Sequence, residues 1–136
     1  MDFLASIIIY LSDDADKDSS LPIARKLNEL NFKILATRGT AFFLQNNGIK
    51  CERVYKISEG RPHILDKIHD NAIQWIFNTS MGTRTTEDSY FIRRAALDYH
   101  LPYTTTCAGA EFMVRAINTM RKNEPVVKSI QEYHFK

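Results

Sequence analysis

Ile7-Ile8-Ile9 open an unbroken apolar run to Leu11, inside a buried strand read over Ser6 to Leu11. Successive side chains of a strand face opposite sides of a sheet, so a half-buried strand alternates apolar and polar residues. This run does not alternate, and both of its faces must therefore be covered. Sheets covered on both faces are mostly parallel, with helices making the crossovers. The remaining residues are expected to supply further buried strands and the helices between them.

The pattern recurs along the chain. Asp13–Ser20 reads as a polar loop. Ser20 caps a helix with Pro22 in its first turn, and Ile23, Leu27 and Leu30 form its stripe. Phe32–Ala36 is a second strand. Thr37-Arg38-Gly39-Thr40 reads as a sharp turn, Thr40 as the cap of a helix over Ala41–Asn47, and Gly48 as its stop. Cys51–Tyr55 is a third strand, and Pro62 opens a short helix through His69. Gln74–Asn78 is a fourth strand, followed by a polar loop over Thr79–Thr85. A long helix runs from about Thr86 to His100, with Ile92, Ala96 and Tyr99 on one face. Pro102–Thr105 is a fifth strand. The last helix, Gly109–Lys122, carries the stripe Phe112, Ala116, Ile117 and Met120, and Val126–Ile130 is a candidate edge strand. Alternating strands and helices predict a doubly wound open α/β sheet of about five parallel strands with helices on both faces.

Composition narrows the function classes. The 136 residues suit a single domain spanning 1–136, and a large multidomain catalyst does not fit. With 44% hydrophobic and 25% charged residues, the chain is neither disordered nor collagen-like. A net charge of +2 is too small to point to nucleic acid or an anionic membrane. No apolar run approaches the roughly 18 residues that span a bilayer. The first residues include Asp2 and no basic segment, so no secretory signal is expected. Cys51 and Cys107 fit no metal-ligand spacing and read as reduced, buried thiols of a cytoplasmic chain.

In such a sheet, ligands bind beyond the carboxyl ends of the strands, where the strand order reverses. Thr37-Arg38-Gly39-Thr40 runs into a helix N-terminus, whose free N–H groups attract anions. The same residues also make an ordinary cap and turn. Lys56 ends the third strand, and Arg61 in Glu59-Gly60-Arg61-Pro62-His63 suits a phosphate or a carboxylate. A solvated loop with a structural His63 explains that segment equally well. Asn78-Thr79-Ser80 and Tyr103-Thr104-Thr105-Thr106 add neutral hydrogen-bonding groups, which turns and strands also favour. Lys17 in the first loop is unremarkable alone. Together these groups suit a phosphorylated small molecule, and no Ser-His-Asp order, Cys-His nucleophile, Walker A loop or GxGxxG motif is present.

Ala36-Thr37-Arg38-Gly39-Thr40-Ala41 resembles the Ala-Thr-x-Gly-Thr-Ala turn of methylglyoxal-synthase-like domains. Glu59-Gly60-Arg61-Pro62-His63-Ile64 resembles one branch of them, the C-terminal allosteric domain of the carbamoyl phosphate synthetase large chain. Ile76-Phe77-Asn78-Thr79, the segment Glu87 to Leu97, and Tyr103 to Thr106 fit the same branch. The resemblance implies a non-catalytic domain that binds UMP or IMP and controls carbamoyl phosphate formation for pyrimidine and arginine synthesis. It implies a phosphate site of Lys17, Thr37, Gly39, Thr40 and Lys56. It places the ribose and base near Asn78, Thr79, Ser80 and Asp88, with Arg61, His63, Tyr103 and Thr105 as further ligand or interface residues. The implied partners are the other synthetase domains and the glutaminase small chain. No cofactor is expected in this chain, since ATP, magnesium and potassium would serve those other domains.

Two departures stand out. Ornithine-responsive enzymes of the branch carry an aspartate where this chain has Thr104, and Ser80 stands where threonine is common. Methylglyoxal synthase itself is the rival reading, along with a generic phosphate-binding module. The lyases carry Gly-Gly-Asp on the third loop and an aspartate after the fourth strand. Here those places hold Gly60-Arg61-Pro62-His63 and Asn78-Thr79-Ser80, without a carboxylate base. The Lys-Thr-Leu-His segment of the related purine enzyme that closes the IMP ring is absent.

Overall fold

Strand β1, Ser6–Tyr10, is buried along its whole length and is flanked by a parallel strand on each side. The structure, a computed structural model, describes residues 6–11, 14–79 and 87–122. After β1 come α1 (Asp14–Glu29), β2 (Lys33–Ala36), α2 (Arg38–Asn46), β3 (Glu52–Arg53) and a 3-10 turn at Ile57–Glu59. Then follow α3 (Ile64–His69), β4 (Trp75–Asn78), α4 (Glu87–Asp98), β5 (Tyr103–Thr104) and α5 (Cys107–Lys122). The five strands form one all-parallel sheet in the order β3-β2-β1-β4-β5. The order reverses after β3, so the switch point lies between β1 and β4.

The pleat of β1 explains its three isoleucines. Ile7 and Ile9 join Trp75 and Phe77 under α1, α2 and α5, where Leu27, Leu44 and Val114 pack. Ile8 joins Leu35 and Ile76 on the other face, under Ile64 and Ile68 of α3 and Ile92 and Ala96 of α4. Helices thus cover both faces, as expected.

Several local readings need correction. The Asp13–Ser20 segment is not a loop over its described part, because α1 already begins at Asp14. Ser20 does not cap. It is buried, and its hydroxyl donates back to the Lys17 carbonyl at 2.6 Å, a bond hydroxyls make inside helices. Pro22 sits within the helix at the cost of one backbone bond. Packing of Ile23, Ala24 and Leu27 outweighs that loss.

Thr37, not Thr40, is the N-cap of α2, in extended backbone at φ −74° and ψ 168°. The supposed sharp turn is the first turn of the helix. Gly48 does stop it, at φ +77°. The third strand shrinks to two residues, with one further bridge between Tyr55 and His63. Pro62 precedes the cap of α3, which is His63. Tyr99 lies beyond α4, stacked on His69 with ring centroids 5.5 Å apart.

The stripe of α5 is displaced from its expected register. The helix starts at Cys107, and the Thr106 hydroxyl accepts from the Gly109 N–H at 3.0 Å. Ala110 and Val114 are buried, and Met113 and Ile117 pack beside them. Phe112 is 75% exposed, and Met120 is exposed as well. Cys51 and Cys107 are half-buried rather than buried, and neither belongs to a disulfide. Val126–Ile130 and most of the Thr79–Thr85 segment lie outside the described residues.

The corrected stripe has a measurable consequence. Leu27→Ala should cost about 2–5 kcal/mol in urea unfolding, as for a buried leucine. Phe112→Ser should stay within about 0.5 kcal/mol of the parent. Similar losses for the two would contradict the assignment of faces.

Candidate functional site

The carboxyl edge of the sheet gathers most of the residues named from the sequence. Thr37, Gly39 and Thr40 follow β2, Lys56 follows β3, Asn78 ends β4 with Thr79 just after it, and Thr105 follows β5. Asp88 lies in the first turn of α4. Ser80 falls outside the described residues.

The start of α2 carries no side-chain cap. Thr37 makes no side-chain cap bond, so the first-turn N–H groups keep their donor capacity. The first turn holds no acid, and its first residue is Arg38, which is exposed. A cation at that end opposes the helix dipole, and an incoming anion relieves the opposition. Sequence reading passed over Arg38, although its place just inside the Thr37 cap was the available signal. Space above Gly39 is open, since a Cβ built there would meet nothing within 4 Å.

Thr40 also has a structural duty. It is buried, and its Oγ1 accepts the Leu11 N–H at 3.1 Å. Across the switch point, the Thr79 N–H donates to the Tyr10 carbonyl at 2.9 Å. Asn78 is 0% exposed, and its Nδ2 donates to the Tyr103 hydroxyl at 2.7 Å. Burial pushes the Tyr103 hydroxyl pKa up, partly offset by the Asn78 bond and the Arg93 charge. Trp75 Nε1 donates to Thr104 Oγ1 at 3.1 Å, pinning the same pair of strands.

The loop after β3 is held by Asp66. Arg61 Nε and Nη2 reach its carboxylate at 3.3 and 2.5 Å, and the His63 N–H donates to it at 2.8 Å. Arg61 is therefore committed to an internal pair, although its side chain stays largely exposed. His63 Nδ1 is buried without a hydrogen-bond partner, 3.5 Å from the same carboxylate. The Arg61 guanidinium, with help from the His63 N–H, holds Asp66 down to about 2. The Lys56 N–H donates to Glu59 Oε1 at 2.8 Å.

Lys17 reaches the site from α1. With Asp18 it forms one wall of an open cleft of about 310 Å³, and Gly39, Phe42, Phe43 and Asn46 of α2 form the other. Phe42, Phe43 and Asn46 were not singled out from the sequence. Their spacing from Gly39 is the signal that was available.

A family model described as "MGS-like domain" matches residues 19–105. This chain is an MGS-like domain. The domain is 50% identical over 129 residues to the carbamoyl phosphate synthase large chain of Archaeoglobus fulgidus, covering 95% of this chain. It is 45% identical over 122 residues to the protein named "Carbamoyl phosphate synthase large chain, C-terminal section" of Methanopyrus kandleri, covering 89% of this chain. The MGS-like domain spans only 12% of the first relative's length and 22% of the second's. The crystal structure of methylglyoxal synthase from Elizabethkingia anophelis superposes with a TM-score of 0.63 at 18% identity, over 82% of this chain and 77% of that one. That likeness concerns the fold alone.

Asp66 gives a pH prediction. Its folded-state value lies below the ordinary 3.8, so its contribution is present above about pH 4 and lost as pH falls through about 2. The urea midpoints of the parent and Asp66→Asn should differ at pH 6 and converge toward pH 2. A constant gap across that range would show that the Asp66 charge is not what stabilises the loop.

Proposed function

We propose that this MGS-like domain is the nucleotide-binding regulatory domain of a cytoplasmic carbamoyl phosphate synthetase, with UMP or IMP as effector and no catalytic step of its own. The observation that carries the reading is the uncapped start of α2. Its N–H groups, Arg38, Gly39 and the hydroxyl of Thr37 present an anion site, and Lys17 stands on the facing helix. The names of the relatives supply the enzyme. The other domains of the large chain and the glutaminase small chain are the proposed partners.

Regulation of this kind requires an effector to bind one arrangement of the enzyme better than another. Coupling free energies are typically about 1–3 kcal/mol, so an effector shifts the affinity for a coupled ligand about 5- to 150-fold. Lyase chemistry has less support. Removing a carbon-bound proton needs a base whose pKa approaches the working pH. Asp66, in the first turn of α3, sits at about 2 and is engaged by Arg61, and the Glu59 carboxylate of the loop before it accepts the Lys56 N–H.

Calorimetry of the chain with UMP and with IMP tests the reading. The parent should bind at least one of them below millimolar concentration. Lys56→Ala and Thr37→Ala should each weaken binding on the order of tenfold, as loss of a bond to a charged group does. Silence of the parent toward both nucleotides at millimolar concentration would sink the proposal. Turnover of dihydroxyacetone phosphate to methylglyoxal would favour the lyase instead.

A further inference from the structure

We propose that one flank of α5 is the docking site for this chain's own residues 126–133, which turn back along the helix after Lys122. This does not depend on the nucleotide-binding reading.

α5 presents four different sides, since each residue turns the helix by about 100°. Ala110 and Val114 face the core and are buried. Glu111 and Arg115, joined at 2.9 Å, lie to one side of them. Phe112 points outward and is exposed. On the remaining side stand Met113, Ala116, Ile117 and Met120, at spacings of three, four and seven residues, which is one stripe of a helix. None of these four is buried, although Met113 and Ile117 touch the core cluster. An apolar stripe of that period packs against another element. Among the described elements, none buries this one.

The residues after α5 carry a matching stripe. Val126, Ile130 and Tyr133 stand four and seven residues apart, with Val127 beside them. Lys128, Gln131 and Glu132 fall on the opposite side of the same period. Asn123-Glu124-Pro125 lies between the two stripes, with the composition of a turn and a proline suited to a helix start. A connection of about two to five residues joins two antiparallel helices. At about 1.5 Å rise per residue, Met113 to Met120 and Val126 to Tyr133 each span about 10.5 Å. Antiparallel packing then sets Val126 against Met120, Ile130 against Ala116 and Ile117, and Tyr133 against Met113. The last pair joins a thioether to an aromatic ring, a favourable contact.

A sixth strand beside β5 is the competing place for these residues, and the topology disfavours it. α1 and α2 lie on one face and carry the chain from β1 toward β3. α3 and α4 lie on the other face and carry it toward β5. That division is what right-handed crossovers require. α5 packs on the α1 face, so a right-handed crossover from β5 leads back over the sheet. A parallel strand added outside β5 needs a left-handed crossover, and about 98% of such connections are right-handed.

Methyl NMR of the full chain, labelled at methionine, tests the docking. The Met113 methyl should show a contact to the Tyr133 ring, which Tyr133→Leu abolishes. Ile130→Asp should abolish the same contact and lower the urea midpoint, because it places a charge in an apolar seam. Lys128→Ala, on the opposite side, should change neither. Absence of the contact in the parent overturns the proposal, and so does an Ile130→Asp midpoint equal to that of the parent. A contact from Tyr133 to β5 instead would favour the sixth strand. A contact that fades on dilution, with a dimer mass by light scattering, would assign the flank to a second copy. Either of those results also overturns it.

Discussion

The hydrogen bond from the Leu11 N–H to Thr40 Oγ1 governs how the carboxyl edge is built. Strand β1 is the central strand, and its ladder partners end at Ala36 of β2 and Asn78 of β4. The next buried N–H, that of Leu11, needs an acceptor, because an unpaired buried donor costs about 1–3 kcal/mol. A hydroxyl from the first turn of α2 supplies it. The bond fixes the N-terminus of α2 against the end of β1. That contact holds Thr40 and the first turn of α2 at the carboxyl edge of the sheet.

The two sides of the switch point differ as a result. On the β4–β5 side, polar side chains are consumed by one another. Asn78 meets Tyr103, and Trp75 meets Thr104. These bonds latch an edge strand only two residues long, which backbone pairing alone would hold weakly. On the α1–α2 side, the helix start lacks a side-chain cap, and the space above Gly39 is open. Strand ends of similar composition therefore do opposite work, closing the sheet at one place and presenting donors at another.

The doubly wound architecture was legible because burial on two faces leaves an unbroken apolar run, as in Ile7-Ile8-Ile9. The five strands and their order of appearance follow from that signal. Helix starts were less legible. Ser20 and Pro22 carry the chemistry of a helix start, yet the helix begins earlier, because packing of Ile23, Ala24 and Leu27 tolerates an internal proline. On α5, Phe112 fits a helical stripe as well as Met113 does. Only the direction of the Thr106 cap and the placement of Ala110 against the core decide between them. The short strands β3 and β5 were read as longer because β-branched and aromatic residues continue past the point where pairing stops.

The threonines of the site show why residue type alone cannot assign a role. Thr37, Thr40, Thr104 and Thr106 all stand at strand or helix ends, the first two reading as phosphate donors and the others as neutral hydrogen-bonding groups. One is an N-cap without a cap bond, one accepts the last strand N–H, one anchors a tryptophan, and one caps a helix. What separates them is the partner that each hydroxyl meets, which is a tertiary property. The distinction has a practical edge. Removing the Thr40 hydroxyl strands a buried N–H, so a loss of binding there reports on the position of α2 before it reports on a ligand. Lys17 and Lys56 are not buried, and no strand ladder depends on their side chains. Changes at these two positions disturb the fold less and so report on a ligand more directly.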